Sequence, residues 1–179
     1  MGDEVPYTAV ERQRMDTDQS DPKWLAWLAR MDEQIARFLS ETVPDMPENP
    51  WSADGLRRAE QSALEHFPAS EFVILPENRD IADQFHRFVG EVFRRNLDGH
   101  WMNVPSYDDR QKTRGFGPVI YQPYVEIYLT VVQQLTAAMS RRTGSVWAQI
   151  YERMNTRHAD WVSHGSLPLT DWVAVRDHR

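Results

Sequence analysis

The clearest pattern of apolar positions lies between residues 78 and 104. Apolar residues recur there at spacings of three and four, which predicts a helix with one broad face turned to the core. The residues of this stripe are Ile81, Phe85, Phe88, Val89, Val92 and Phe93. Asp98-Gly99 predicts the end of the helix, because glycine readily takes the left-handed conformation that follows a helix C-terminus. The alternation from His100 to Val104 predicts a strand directly afterwards.

The same periodicities predict helices and strands in the remaining segments. Helical spacing predicts one helix from Asp21 to Val43, a second from about Ser52 to Phe67, and two more near residues 131–142 and 145–161. The short apolar run 71–75 predicts a strand or a buried extended connector. Two further strands are expected at Pro118–Gln122 and Tyr124–Leu129, separated by Pro123.

This order of elements predicts the fold class. Strands grouped between runs of helices indicate a single α+β domain with N-terminal helices, a small antiparallel sheet of about three strands, and C-terminal helices. Residues 1–20 are polar and lack a period, so we expect a disordered or loosely attached arm. The domain itself is expected to span residues 21–164, and residues 165–179 form a C-terminal tail that is apolar enough to pack against it.

Composition narrows the classes of function. The 179 residues include no cysteine, which excludes disulfides, thiolate nucleophiles and cysteine-ligated zinc. The formal net charge of −7 argues against general binding to nucleic acid or to an anionic membrane surface. No apolar run approaches the ~20 residues of a membrane span, and the acidic N-terminus does not resemble a signal peptide. We therefore expect a cytoplasmic protein.

The segment from Phe85 to Trp101 carries a resemblance to a known group of proteins. An aromatic or apolar pair precedes Gly-Glu, and basic residues, a glycine and a tryptophan follow. The matching positions are Phe88, Val89, Gly90, Glu91, Arg94, Arg95, Gly99 and Trp101. This signature resembles that of small bacterial proteins of unknown function, many of them actinobacterial. The resemblance implies no activity and no catalytic residues. Some proteins of similar size serve as immunity or accessory proteins, which is an analogy.

Glu91 is the charged residue whose position is most informative. It follows Gly90, whose place in the apolar stripe predicts a crossing backbone that leaves no room for a side chain. Arg94 and Arg95 lie three and four residues further on, a spacing that favours ion pairs with Glu91. The other interpretation is a partly buried carboxylate with a raised pKa that acts as an acid or base.

Two candidate sites follow from the charged and polar residues. Glu91, His86 and His100 are the catalytic candidates for the alternative function, a small hydrolase or ligand-binding domain. Arg110, Lys112 and Arg114 alternate before two glycines and could bind an anion, although Asp108 and Asp109 offer nearby counter-charges. The spacing of the histidines predicts no metal site, and no sequence motif indicates a cofactor.

The sequence favours binding over catalysis. Motifs for a nucleophile elbow, a phosphate-binding loop, a dinucleotide fold and a zinc protease are all absent from the chain. The chain contains seven Trp and six Tyr, residue types that are enriched at protein interfaces. We therefore expect a non-enzymatic binding or accessory protein whose partner is another protein and which is itself a monomer or homodimer. The analogy above suggests an immunity-like role.

Overall fold

Helices form most of the chain and surround one central helix, α5. The computed structural model describes residues 9–105 and 117–178. The α-helices of these ranges are α1 (Ala9–Gln19), α2 (Pro22–Ala29), α3 (Met31–Arg37), α4 (Ala53–His66), α5 (Arg79–Asn96), α6 (Val131–Arg141), α7 (Val146–Ser163) and α8 (Leu169–Asp177). In this part of the chain no helix is long and apolar enough to cross a membrane.

A small sheet lies between α5 and α6 in the sequence. Its strands are β1 (His100–Asn103), β2 (Pro118–Tyr121) and β3 (Leu129–Thr130), and both pairings are antiparallel in the order β1-β2-β3. Trp101 lies opposite Ile120, and Val119 lies opposite Thr130. The predicted fold class, an α+β domain with helices on both sides of a three-stranded antiparallel sheet, is confirmed.

The third strand is much shorter than predicted. Residues 122–128 form turns and bends where the sequence predicted a strand from Tyr124. Tyr124 and Val125 are consecutive and both buried, whereas a strand would point them to opposite faces. The Gln122 side chain donates a hydrogen bond to the Tyr124 hydroxyl over 2.6 Å and stabilises the turn.

The N-terminal helical region is divided where the sequence predicted one continuous helix. Asp21 caps α2 by accepting hydrogen bonds from the backbone N–H groups of Lys23 and Trp24. Arg30 then leaves the helical conformation, with φ −93° and ψ 8°, and separates α2 from α3. A π-helical turn, Phe38–Thr42, follows α3 and places Phe38 fully in the core. The break thus redirects the chain so that both Trp24 and Phe38 are buried.

The run 71–75 is helical rather than extended. Ser70–Ile74 form a 3-10 turn, and only Val73 of this turn is buried, while Phe72 and Ile74 are exposed. An apolar run of five residues does not distinguish a strand from a short helix by its period alone, and here the prediction was wrong.

Both ends of the described chain contact the domain. Of the arm predicted at residues 1–20, residues 1–8 lie outside the described part of the chain. Residues 9–19 form α1, and Gln19 bonds to both backbone groups of Asn103 at 2.8 Å. The amide side chain thereby pairs with the edge of β1 as another strand would. At the other end, Trp172 of α8 is buried and its indole N–H donates to the Tyr124 carbonyl.

Helix α5 provides the largest share of the core. Its buried aromatic residues pack against aromatic residues of the π-turn, α4 and α7. These contacts join Phe85 and Phe88 to Phe38, Phe85 to Phe67, and Phe93 to Tyr151. After the helix, Asp98 takes the left-handed conformation, with φ 49°, that the sequence assigned to Gly99. Gly99 is needed for a different reason, because a Cβ there would lie 2.7 Å from Ile120.

Candidate functional site: the charged face of α5

Helix α5 buries charged residues on one face in addition to its apolar stripe. Residues at successive spacings of four alternate in charge along this face, starting from Asp83, and Arg94 adds a further cation. We call Asp83, Arg87, Glu91, Arg94 and Arg95 the charged ladder. Arg87 is 1% exposed and Glu91 is 2% exposed. Charges this deep are tolerated only when they are paired and hydrogen-bonded.

Glu91 is surrounded by donors. Arg94 binds its carboxylate through two hydrogen bonds of 2.6 and 2.9 Å, Arg95 donates over 3.0 Å, and the Trp101 indole N–H donates over 2.8 Å. Burial by itself raises the pKa of Glu91. The hydrogen bonds from Arg94, Trp101 and Arg95 together outweigh burial, so the pKa lies below its ordinary value. The ion-pair interpretation is therefore favoured, because the pKa of Glu91 shifts in the direction opposite to the one that an acid or base role requires.

Gly90 makes room for the tryptophan that reaches Glu91. A Cβ at position 90 would lie 2.1 Å from the Trp101 ring. The prediction of a crossing backbone at Gly90 was wrong, because the close neighbour is a side chain from β1. The missing side chain at position 90 thus lets the indole cross the helix and donate to the carboxylate of the next residue.

Arg87 and Asp83 form a second network with Trp27 of α2. The Arg87 Nε donates to Asp83 over 2.7 Å, and its Nη1 donates to the Trp27 carbonyl over 2.8 Å. The Trp27 indole N–H donates to the other Asp83 oxygen over 2.6 Å. The Arg87 guanidinium also lies 4.0 Å from the centre of the Trp27 ring, in a cation–π contact. Trp27 meets Trp101 edge to face, so the two networks adjoin.

The Arg87 network forms the floor of an open cleft between α2 and the start of α5. We call this cleft, of about 380 Å³, the Trp27 cleft. Its lining residues are Lys23, Ala26, Trp27, Arg30, Arg79, Asp80, Asp83 and Arg87. Four cations therefore face two carboxylates in a protein whose overall charge is −7. Arg30 is paired with Glu33, but Lys23 and Arg79 make no ion pair with any described residue.

The proposed catalytic candidates do not form one hydrogen-bonded group. The partners of Glu91 within the described ranges are two arginines and a tryptophan, not His86 or His100. His86 has a buried Nε2 without a hydrogen-bond partner among the described residues. The pKa of His86 is lowered to about 4, mainly by burial. The charge of Asp83 acts to raise this pKa and the charge of Arg87 acts to lower it, and the imidazole is neutral at pH 7. His100 is exposed at the start of β1.

Two histidine–aspartate pairs lie outside the charged ladder and the Trp27 cleft. His158 contacts Asp98 at 2.8 Å, and His164 contacts Asp160 at 3.5 Å on the last turn of α7. No group of three or more ligating side chains suited to a metal occurs among the residues that the structure describes. Arg110, Lys112 and Arg114, the predicted anion site, lie outside the described residues.

Sequence reasoning missed Arg87, Asp83 and Trp27. A signal was present, since Asp83, Arg87, Glu91 and Arg95 alternate in sign at spacings of four on a helix with a strong apolar stripe. Such a pattern is usual on a solvated helix face. Here Trp27, 60 residues before Arg87, packs on Arg87, and Trp101 packs on Glu91. Local periodicity does not reveal either contact.

Comparisons with known proteins give no match. No protein-family model, no curated protein and no solved structure matches this chain. The resemblance in the segment from Phe85 to Trp101 therefore stays a prediction, and functional inference depends on the geometry of the charged ladder and the Trp27 cleft.

Proposed function

We propose that the protein is a non-enzymatic binding or accessory protein that recognises another protein through the Trp27 cleft. The observation that carries this proposal is the position of Arg87, which is buried and fixed by Asp83 and Trp27 at the floor of an open cleft. A side chain already held in its orientation loses little freedom when a ligand binds. Lys23 and Arg79 flank it without ion-pair partners among the described residues.

The state of Glu91 supports binding over catalysis. A general acid needs a proton at neutral pH, and a general base needs access to its substrate. Glu91 has a lowered pKa and its carboxylate is covered by Arg94, Arg95 and Trp101. The charged ladder is thus suited to fixing the side chains of a binding surface in one arrangement. Such a protein would act in the cytoplasm as a monomer or homodimer, and occupation of a partner's functional site, as immunity proteins do, is one form this role would take.

Affinity capture with charge-reversed protein tests this function. Lys23→Glu with Arg79→Glu reverses two cations of the cleft. Arg153→Glu with Arg157→Glu is the matched control, because both residues are exposed on α7 and the change in net charge is the same. We expect one stoichiometric partner to be captured from the native cell by wild type and control, and to be lost with the cleft variant. A partner retained equally by all three proteins, or a bound small molecule in place of a protein, would contradict the proposal.

A further inference from the structure

The Nη2 group of the Arg87 guanidinium is a hydrogen-bond donor without an acceptor in the described part of the chain. Its Nε is used by Asp83 and its Nη1 by the Trp27 carbonyl, with Met31 sulfur at 3.9 Å from the same Nη1. Within residues 9–105 and 117–178 no group accepts a hydrogen bond from Nη2. This nitrogen is nevertheless not among the fully buried unsatisfied atoms, and Arg87 lines the Trp27 cleft. The remaining N–H groups of a buried arginine are therefore offered to the cleft.

The charges around the cleft select the kind of anion. Lys23 and Arg79 add two cations without ion-pair partners in the described part of the chain. Asp80 and Asp83 add two carboxylates, and Asp80 occupies the first turn of α5, where it offsets the positive end of the helix dipole. A dianion such as phosphate would meet both carboxylates at close range. A monoanion fits better, because a single negative charge suffices for one free edge of Arg87 and its flanking cations.

The rest of the lining is apolar enough to contact a carbon chain. Ala26, the Trp27 indole and the aliphatic stems of the long side chains form the walls. A volume of about 380 Å³ holds one or two side chains and leaves the rest of a ligand outside. This geometry suits the side chain of an acidic residue presented by a larger molecule.

We propose that the Trp27 cleft binds a side-chain carboxylate of an acidic peptide segment in the partner protein, with Arg87 Nη2, Lys23 and Arg79 as its donors. This inference rests on the proposed function and specifies the chemistry that the partner presents. Charge complementarity supports an acidic ligand, because the cleft is cationic on a protein with an overall negative charge. Binding of a carboxylate by an arginine held in place is also a strong, charge-assisted interaction.

Peptide binding to the purified protein tests whether the Trp27 cleft binds a side-chain carboxylate. The probe is an end-blocked octapeptide that alternates Glu and Leu, and its control replaces every Glu by Gln. Binding is followed by the indole ¹H–¹⁵N signal of Trp27 and by calorimetry. We expect the Glu peptide to bind at least tenfold more tightly than the Gln peptide and to weaken with added salt. Lys23→Ser with Arg79→Ser should weaken it at least tenfold, and Arg153→Ser with Arg157→Ser should leave it unchanged.

Small anions distinguish the possible sources of the charge. Succinate and inorganic phosphate are titrated in the same assay, and both should bind more weakly than the Glu peptide. Tighter binding of phosphate, a difference of less than threefold between the two peptides, or full affinity in the Lys23→Ser, Arg79→Ser variant would overturn the inference. Loss of the cellular partner with the charge-reversed cleft, combined with equal binding of both peptides, would refute the carboxylate and leave the proposed function standing.

Discussion

At the scale of single residues, the absence of a side chain at position 90 determines where Trp101 lies. Because a Cβ there would overlap the indole ring, Gly90→Ala should displace Trp101 and weaken its hydrogen bond to Glu91. We expect a loss of roughly 1–3 kcal/mol in the free energy of unfolding, measured by urea denaturation.

A double-mutant cycle isolates the cause of this loss. In a Trp101→Ala background the obstacle is gone, and alanine is about 1 kcal/mol better than glycine inside a helix. Gly90→Ala should therefore be neutral or stabilising in that background. An equal loss in both backgrounds would show that Trp101 is not the reason for glycine at this position.

Also at the residue scale, the charge on Glu91 ties stability to pH. Its pKa is lower in the folded protein than its ordinary value, so the folded state favours the ionised form. The stability that Glu91 contributes is therefore present above its unfolded pKa of about 4.3 and is lost as the pH falls through the folded pKa. Arg94, Trp101 and Arg95 are the groups from which this dependence arises.

At the scale of elements, the side-chain carboxylate of Glu60 joins α4 to α7, a contact that the sequence did not predict. Ser145 occupies the N-cap position of α7, but its side chain makes no capping hydrogen bond. Glu60, fully buried on α4, accepts the N–H groups of Val146 and Trp147 over 3.0 and 2.8 Å instead. Arg142, at the end of α6, donates to the carbonyls of Leu64 in α4 and of Phe67 and Pro68 just after it. A helix terminus is thus satisfied from a neighbouring helix.

Substitution of Glu60 should be costly and should depend on pH. Glu60→Ala leaves two buried N–H groups without acceptors, which costs roughly 2–4 kcal/mol. Burial raises the pKa of Glu60 even though these N–H groups lower it. The stability linked to protonation of Glu60 is therefore fully present below its unfolded pKa of about 4.3 and is lost as the pH rises through the folded pKa.

The comparison with Glu60→Gln measures this decline. The difference in unfolding free energy between wild type and Glu60→Gln should be larger near pH 4 than at pH 7. Glu65→Gln, exposed on the same helix, is the control and should show little change. A difference for Glu60→Gln that grows with rising pH would contradict the buried position of this carboxylate.

At the scale of the whole molecule, the sequence predicted what local periodicity encodes. The stripe of α5, the presence of a small antiparallel sheet and the α+β class follow from spacings of two, three and four. The division at Arg30 and the shortened third strand do not, because they depend on packing of Phe38 and Tyr124 against distant elements. Glu91 was recognised from its neighbours Arg94 and Arg95. Its third partner, Trp101, was not, because the sequence does not show that the Trp101 ring lies against Gly90.

The same limit applies to the Trp27 cleft. Trp27 falls within the helix that the sequence predicts from Asp21 to Val43, and no sequence pattern marks Arg87 as a buried cation. Only tertiary packing brings them within 4.0 Å and buries both. A binding site assembled from residues 60 positions apart leaves no local pattern, so it could be found only from the structure.

The ionisation of Glu91 separates the binding role from an acid–base role most directly, because a paired carboxylate supports a binding surface and a protonated one supports an acid–base site. The decisive measurement is an NMR titration of the Glu91 side-chain carboxyl carbon in isotope-labelled protein, with its assignment confirmed by Glu91→Gln. We predict a midpoint below the ordinary glutamate pKa of about 4.3, since three donors stabilise the charge. A midpoint of about 6 or higher would contradict the account and identify Glu91 as a group able to transfer a proton near neutral pH.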